Sequence, residues 1–101
     1  MNIEEAIGKV QQMPKGSVLV ARPPFTWGAE ATFVSLADDF RIPPAVADAG
    51  FQYLLERDDL LDLLGFLKKK RVSPRTIAEF VIHYAVTDAV PAWIDDIPDV
   101  T

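Results

Sequence analysis

The chain has 101 residues, half of them hydrophobic and a quarter charged, and it contains no cysteine. This length and composition predict a single globular domain over residues 1–101 and argue against a disordered or membrane-spanning chain. Without cysteine there are no disulfides, no thiolate chemistry and few options for a structural zinc site, so packing alone is expected to stabilise the fold. Acidic residues near the N-terminus, where a secretory signal carries basic ones, predict a cytoplasmic protein.

The charge is unevenly distributed along the chain. Fifteen acidic residues outnumber ten basic ones, which gives a net charge of −5. Five of the bases fall within residues 68–75, a stretch without acids, so the remainder of the chain carries −10. This excess predicts a negative field over most of the surface and a positively charged partner.

The first part of the chain predicts a helix followed by two strands. Asn2 is a suitable N-cap for a helix over residues 3–13. The valine-rich run 17–22 predicts a strand that ends at the two prolines that follow it. Residues 30–36 favour an extended chain, which we expect to pair with the first strand.

The middle of the chain predicts a short helix, a third strand and a leucine-rich helix. Proline in the first turn and Gly50 at the end suit a helix that extends through Asp48, and residues 51–55 suit a strand. Five leucines then repeat at helical spacing after Asp58 and Asp59, either of which would serve as N-cap. The lysine run ends this helix.

The last helix is predicted to begin at Ser73 as N-cap and to end at Pro91. Its buried stripe is expected to consist of Ile77, Phe80, Val81, Tyr84 and Ala85. Together the elements predict an α+β fold, in which a small antiparallel sheet of about three short strands packs against an N-terminal helix and two C-terminal helices.

The residue types needed for catalysis or ligand binding are scarce. His83 is the sole histidine, and its position four residues after Glu79 favours an exposed helix pair over a catalytic role. A hydrolase would instead need a cleft that holds His83 beside a carboxylate. Asp58, Asp59 and Asp62 lack the spacing of a calcium loop, and no phosphate-binding motif occurs. We therefore expect no enzyme activity, no metal and no cofactor.

Two segments carry a resemblance to a known family. Residues 79–89 (EFVIHYAVTDA) contain an aromatic-tyrosine pair followed by Asp-Ala, and residues 50–55 (GFQYLL) precede the leucine-rich helix. This half of the chain resembles small bacterial immunity proteins of contact-dependent inhibition and related polymorphic toxin systems, although His83 and Val90 stand where aromatics are expected. The resemblance implies a cytoplasmic antidote that binds a co-encoded toxin, often a nuclease.

The charge is compatible with that implication, because nuclease toxins have basic clefts that carboxylates can fill. Either tryptophan is predicted to pack on the core or to anchor the partner. The expected binding residues are Asp38, Asp39, Asp48, Asp58, Asp59, Asp62, Trp27 and Trp93.

The basic stretch at residues 68–75 suggests an alternative function, a regulatory or nucleic-acid-binding module. The stretch lacks interleaved aromatic residues and belongs to a chain whose other charges repel nucleic acid. Cations at a helix C-terminus are also stabilised by the helix dipole without any ligand. We therefore expect nucleic acid to be the less favoured partner.

Overall fold

A computed structural model describes residues 1–36 and 38–99 and confirms the predicted α+β fold. No helix among these residues is both long and apolar enough to cross a membrane. In chain order the elements are α1 (Ile3–Gly8), a 3-10 turn (Val10–Gln12), β1 (Ser17–Ala21), β2 (Ala31–Ser35), α2 (Pro44–Asp48), β3 (Gln52–Glu56), α3 (Arg57–Leu67), α4 (Pro74–Thr87) and a second 3-10 turn (Ala92–Asp96).

The three strands form one antiparallel sheet in the order β2-β1-β3. The predicted pairing of the first two strands is confirmed, with Ser17 opposite Ser35 at one end and Ala21 opposite Ala31 at the other. We call these the Ser17 end and the Ala21 end of the sheet. β3 adds to the other side of β1, so that Glu56 lies at the Ser17 end and Gln52 at the Ala21 end.

An irregularity in the pairing of β3 with β1 explains the burial pattern of β3. The register shifts between Leu19 and Val20, which leaves Leu54 without a partner residue. An extra residue of this kind breaks the strict alternation of side chains between the two faces of a strand. Leu54 and Leu55 are consequently both buried.

The main core lies between the sheet and the helices α1, α3 and α4. It includes Ile3 and Ile7 of α1, Leu19 of β1, Leu60 of α3 and Val81 of α4, all buried. Each helix contributes these residues at helical spacing, so one face of each covers the sheet. The packing confirms the predicted arrangement of an N-terminal helix and two C-terminal helices.

A second, smaller cluster joins the C-terminal turn to the helices. Phe80 is fully buried with Leu67 and Ile94, and the edge of its ring meets Trp93 at a centroid distance of 6.1 Å. Lys70 and Asp99 form an isolated β-bridge beside it. The tail is thus part of the folded core.

Three predicted helix boundaries are wrong, and local geometry explains those of α3 and α4. α1 ends at Gly8, and the chain continues as a 3-10 turn. β3 runs directly into α3, so Glu56 takes the N-cap position and the predicted caps Asp58 and Asp59 lie in the first helical turn. α4 ends at Thr87 because Asp88 adopts a left-handed conformation (φ 56°), a common helix stop, before Pro91 is reached.

Candidate functional site

Acidic side chains gather at the Ser17 end of the sheet. The loop after β2 and the start of α3 meet there, and two clefts that Phe40 lines are also lined by exposed carboxylates of both segments: Asp38, Glu56 and Asp58. We call this surface the acidic end; it consists of Asp38, Asp39, Phe40, Glu56, Asp58, Asp59 and Asp62. Sequence reasoning predicted five of these carboxylates as binding residues. Asp38 and Asp58 line the clefts beside Phe40, Asp39 precedes Phe40 in the loop, and Asp59 and Asp62 are exposed on the first turns of α3.

Phe40 is the most exposed large hydrophobic residue among those described. Its side chain is 84% exposed, and its backbone adopts φ 62°, a left-handed conformation that costs a residue with a bulky side chain about 1–2 kcal/mol. The Arg41 N–H donates to Asp39 Oδ1 over 3.1 Å and bends the chain beside it. The loop therefore holds an aromatic ring out in water at an energetic cost.

Two shallow clefts border Phe40. One, of about 210 Å³, lies between Phe40, Val18 and the Arg57 side chain, and the other, of about 420 Å³, extends towards Lys15 and Asp38. Both open to solvent next to carboxylates. The surface is thus uneven enough to accept side chains of a partner around the aromatic ring.

Most of the negative charge at the acidic end is unneutralised. Arg57 Nη1 lies 3.1 Å from Asp58 Oδ1, and Arg41 Nε lies 3.9 Å from Asp39 Oδ2. Within residues 1–36 and 38–99 the four remaining carboxylates form no ion pair: Asp38, Glu56, Asp59 and Asp62. The surface is therefore a source of negative potential.

Tyr53 on β3 lies close enough to Glu56 and Asp59 to be affected by their charges. Its side chain is 46% exposed, and partial burial, followed by the negative charges of Glu56 and Asp59, raises the pKa of its hydroxyl above 10.0. The like charges disfavour the phenolate, so the ring stays neutral as an amphipathic surface beside the carboxylates. Tyr53 is a second aromatic residue suited to contact with a partner.

The fold separates Asp48 from the other predicted carboxylates. Asp48 ends α2, and three residues later the ring of Phe51 lies 4.8 Å from Cζ of Arg22, which follows β1 at the Ala21 end of the sheet. A five-residue strand is about 13 Å long between its first and last residue, so Asp48 is remote from Phe40. It does not belong to the acidic end.

Neither tryptophan lies at the acidic end. Trp27 is 37% exposed in the loop between β1 and β2, where the Arg75 guanidinium lies 3.6 Å from the centroid of its ring. Trp93 is half-buried against Phe80. Of the alternatives left open by the sequence, Trp93 packs on the core, whereas Trp27 is only partly covered.

The basic stretch is not a single surface. Lys70 Nζ lies 2.9 Å from Asp99 Oδ1 and also donates to the Ile97 carbonyl oxygen over 3.3 Å. The Arg75 guanidinium lies over the ring of Trp27. The exposed cations Lys68, Lys69 and Arg71 remain at the end of α3, where the helix dipole stabilises them without a ligand.

His83 is half-buried, and it lines a groove on α4 together with Glu79. No hydrogen bond or ion pair joins the two side chains, both of which lie in the described part of the chain, so the predicted exposed helix pair is wrong. The same described residues contain no group of three histidine or acidic side chains arranged to hold a metal ion. The prediction that the chain is not an enzyme stays a prediction.

Sequence reasoning missed Phe40 and Tyr53. Phe40 is an apolar residue inside the otherwise polar loop sequence DDFR, and that isolation is a signal that the residue has no place in a hydrophobic stripe. Tyr53 gave no comparable signal, because an aromatic residue is ordinary in a strand.

Comparison of the chain with protein-family models, with curated proteins and with solved structures gives no match. The candidate site therefore rests on its own geometry and charge.

Proposed function

We propose that this chain is an immunity protein that binds and neutralises a cognate toxin through its acidic end. The toxin is expected to be a nuclease domain with a basic cleft. The observation that carries the proposal is Phe40, an aromatic ring held almost fully in water and in a strained conformation among carboxylates that have few partners.

The two components of the acidic end suit different parts of the binding process. A single aromatic residue that fills a pocket on a partner often supplies about 2–4 kcal/mol of binding energy. Carboxylates around such an anchor attract a basic protein from a distance and mainly raise the association rate. Phe40 supports the first role, and Asp38, Asp59 and Asp62 support the second.

Inhibition would follow if the carboxylates of this chain lie inside the nuclease cleft in the complex. A nuclease cleft binds phosphates with lysine and arginine side chains. Carboxylates of an inhibitor can take the places of those phosphates and exclude the substrate. The resemblance of the C-terminal half to immunity proteins supports the same function independently of the charge.

The test is co-expression of this chain with the protein encoded next to it, followed by measurement of complex formation and of the partner's nuclease activity. The Asp58→Lys/Asp59→Lys variant should slow association about tenfold or more at low salt, and the difference should shrink as salt rises. The matched control is Asp95→Lys/Asp96→Lys, which changes the net charge equally. These two exposed residues belong to the turn that packs against Leu67, at the opposite end of α3.

Two results would contradict the proposal. One is the absence of a complex at low ionic strength. The other is equal slowing by both double variants, which would mean that net charge alone acts and that no particular face is involved.

A further inference from the structure

A second surface, remote from the acidic end, has the shape of a binding groove. It has a volume of about 630 Å³ and lies between the loop joining β1 to β2 and the outer face of α4. Phe25 and Trp27 form the wall on the loop side. Glu79, Ile82 and Val86 lie on the helix side, at the three- and seven-residue spacing that places side chains on one face.

The walls of the groove are held in place by contacts outside it. The Glu4 N–H donates to the Trp27 carbonyl oxygen over 3.1 Å, and the Ile3 N–H donates to the Ala29 carbonyl oxygen over 3.0 Å. Arg75 covers one face of the Trp27 ring and also lies 3.9 Å from a carboxylate oxygen of Glu4. A ligand would meet a surface that is already ordered, which lowers the entropic cost of binding.

The groove carries one negative charge on a largely apolar surface. Glu79 is the sole Asp, Glu, Lys or Arg residue among the described residues that line it. Glu79 forms no ion pair with any residue in the described parts of the chain. The neighbouring cation, Arg75, is already engaged by Trp27 and Glu4. The charge of Glu79 is therefore available to a partner.

The length and openness of the groove indicate the form of the ligand. From Glu79 to Val86 the helix rises about 10 Å, which is the length of about three residues of extended chain. Val86 is 61% exposed, so the groove is open to solvent along the helix. An open groove of this length accepts a short peptide segment lying along α4, whereas small molecules are usually held in enclosed cavities.

From these features we propose that the groove binds a short segment of a protein partner, in which apolar side chains pack between Phe25 and Ile82 and a lysine or arginine side chain reaches Glu79. The apolar stem of such a basic side chain packs on aromatic surface while its charged end meets the carboxylate. The groove and the acidic end share no residue, so this proposal does not depend on the proposed function.

The probe for the test is the capped peptide acetyl-Leu-Lys-Leu-amide, compared with the same peptide carrying norleucine in place of lysine. Titration of the full chain is followed by NMR chemical shifts. The lysine peptide should produce saturable shifts at the Trp27 indole and at the backbone of Ile82 and Val86. It should bind about two- to fivefold more tightly than the norleucine peptide, as expected for one exposed ion pair.

The variant Glu79→Gln isolates the charge. It should reduce the affinity of the lysine peptide to that of the norleucine peptide and leave the latter unchanged. The control, Asp96→Asn, removes an exposed carboxylate from the turn Ala92–Asp96, which lines neither surface, and should alter neither affinity. The proposal is overturned by shifts elsewhere on the molecule, by an unchanged affinity of Glu79→Gln, or by concentration-dependent shifts without peptide, since the last would show that the groove binds a second copy of the chain.

Discussion

The acidic end and the groove each present an aromatic residue, but the surroundings of the two rings differ. Trp27 has a cation on its ring and backbone hydrogen bonds that fix its loop. Within the described residues no cation lies over the Phe40 ring, the Phe40 backbone is strained, and most of the carboxylates of the acidic end form no ion pair. Trp27 therefore contributes to the stability of the fold as well as to a surface, whereas Phe40 contributes little to stability. We therefore expect replacement of Phe40 to separate the proposed binding role from stability more cleanly than replacement of Trp27.

The largest expected effect is a loss of partner binding when the acidic end is changed. The variant Phe40→Gly should weaken the complex with the neighbouring gene product by about 2–4 kcal/mol, because it removes the aromatic anchor. Its free energy of unfolding should stay the same or rise by up to about 1 kcal/mol, since glycine adopts positive φ without strain. Isothermal titration and urea unfolding measure the two quantities. Loss of stability in this variant would show that Phe40 packs on the fold. Phe40 and Trp27 would then not differ in their contribution to stability.

A change at the groove is expected to have a smaller effect, and that effect is on stability and not on partner binding. The variant Trp27→Ala removes a partly buried ring and its contact with Arg75, so it should lower the free energy of unfolding by about 1–3 kcal/mol. It should leave the association rate with the proposed toxin partner unchanged, because Trp27 is remote from the acidic end. Urea unfolding and stopped-flow association test both statements. Slower association would mean that the toxin contacts both ends of the sheet.

The smallest effect tests the negative field itself. Because Glu56 disfavours the phenolate of Tyr53, the variant Glu56→Gln should lower the pKa of Tyr53 towards 10.0. Ultraviolet absorbance of tyrosinate during an alkaline titration measures this change, with Tyr53→Phe used to assign the signal between the two tyrosines. An unchanged midpoint would mean that solvent screens the field before it reaches a partner.

The same raised pKa predicts how stability depends on pH. The folded state holds the Tyr53 proton more tightly than the unfolded state, whose hydroxyl titrates near 10.0. The contribution is therefore complete below pH 10.0 and is lost as pH rises through the folded pKa. Urea unfolding across this range should show a decline that Tyr53→Phe reduces.

Local signals in the sequence determined the elements of the fold. The valines of β1, the capping pair Ser73-Pro74 and the leucines of α3 each specify an element through propensity or spacing. The structure confirms all three. The boundaries that failed depend on neighbouring elements: the N-cap of α3 was set by the direct junction with β3, and the end of α4 by the left-handed conformation of Asp88.

The composition of the sequence also determined the negative charge of the chain, and the cluster around Asp58 was visible as a run of acids. Only the tertiary structure decided which carboxylates share a surface. The antiparallel sheet places the loop after β2 beside the start of α3, and it carries Asp48 to the opposite end. The exposure of Phe40 and the pairing of Trp27 with Arg75 likewise come from contacts between residues far apart in the chain, which periodicity and propensity do not encode.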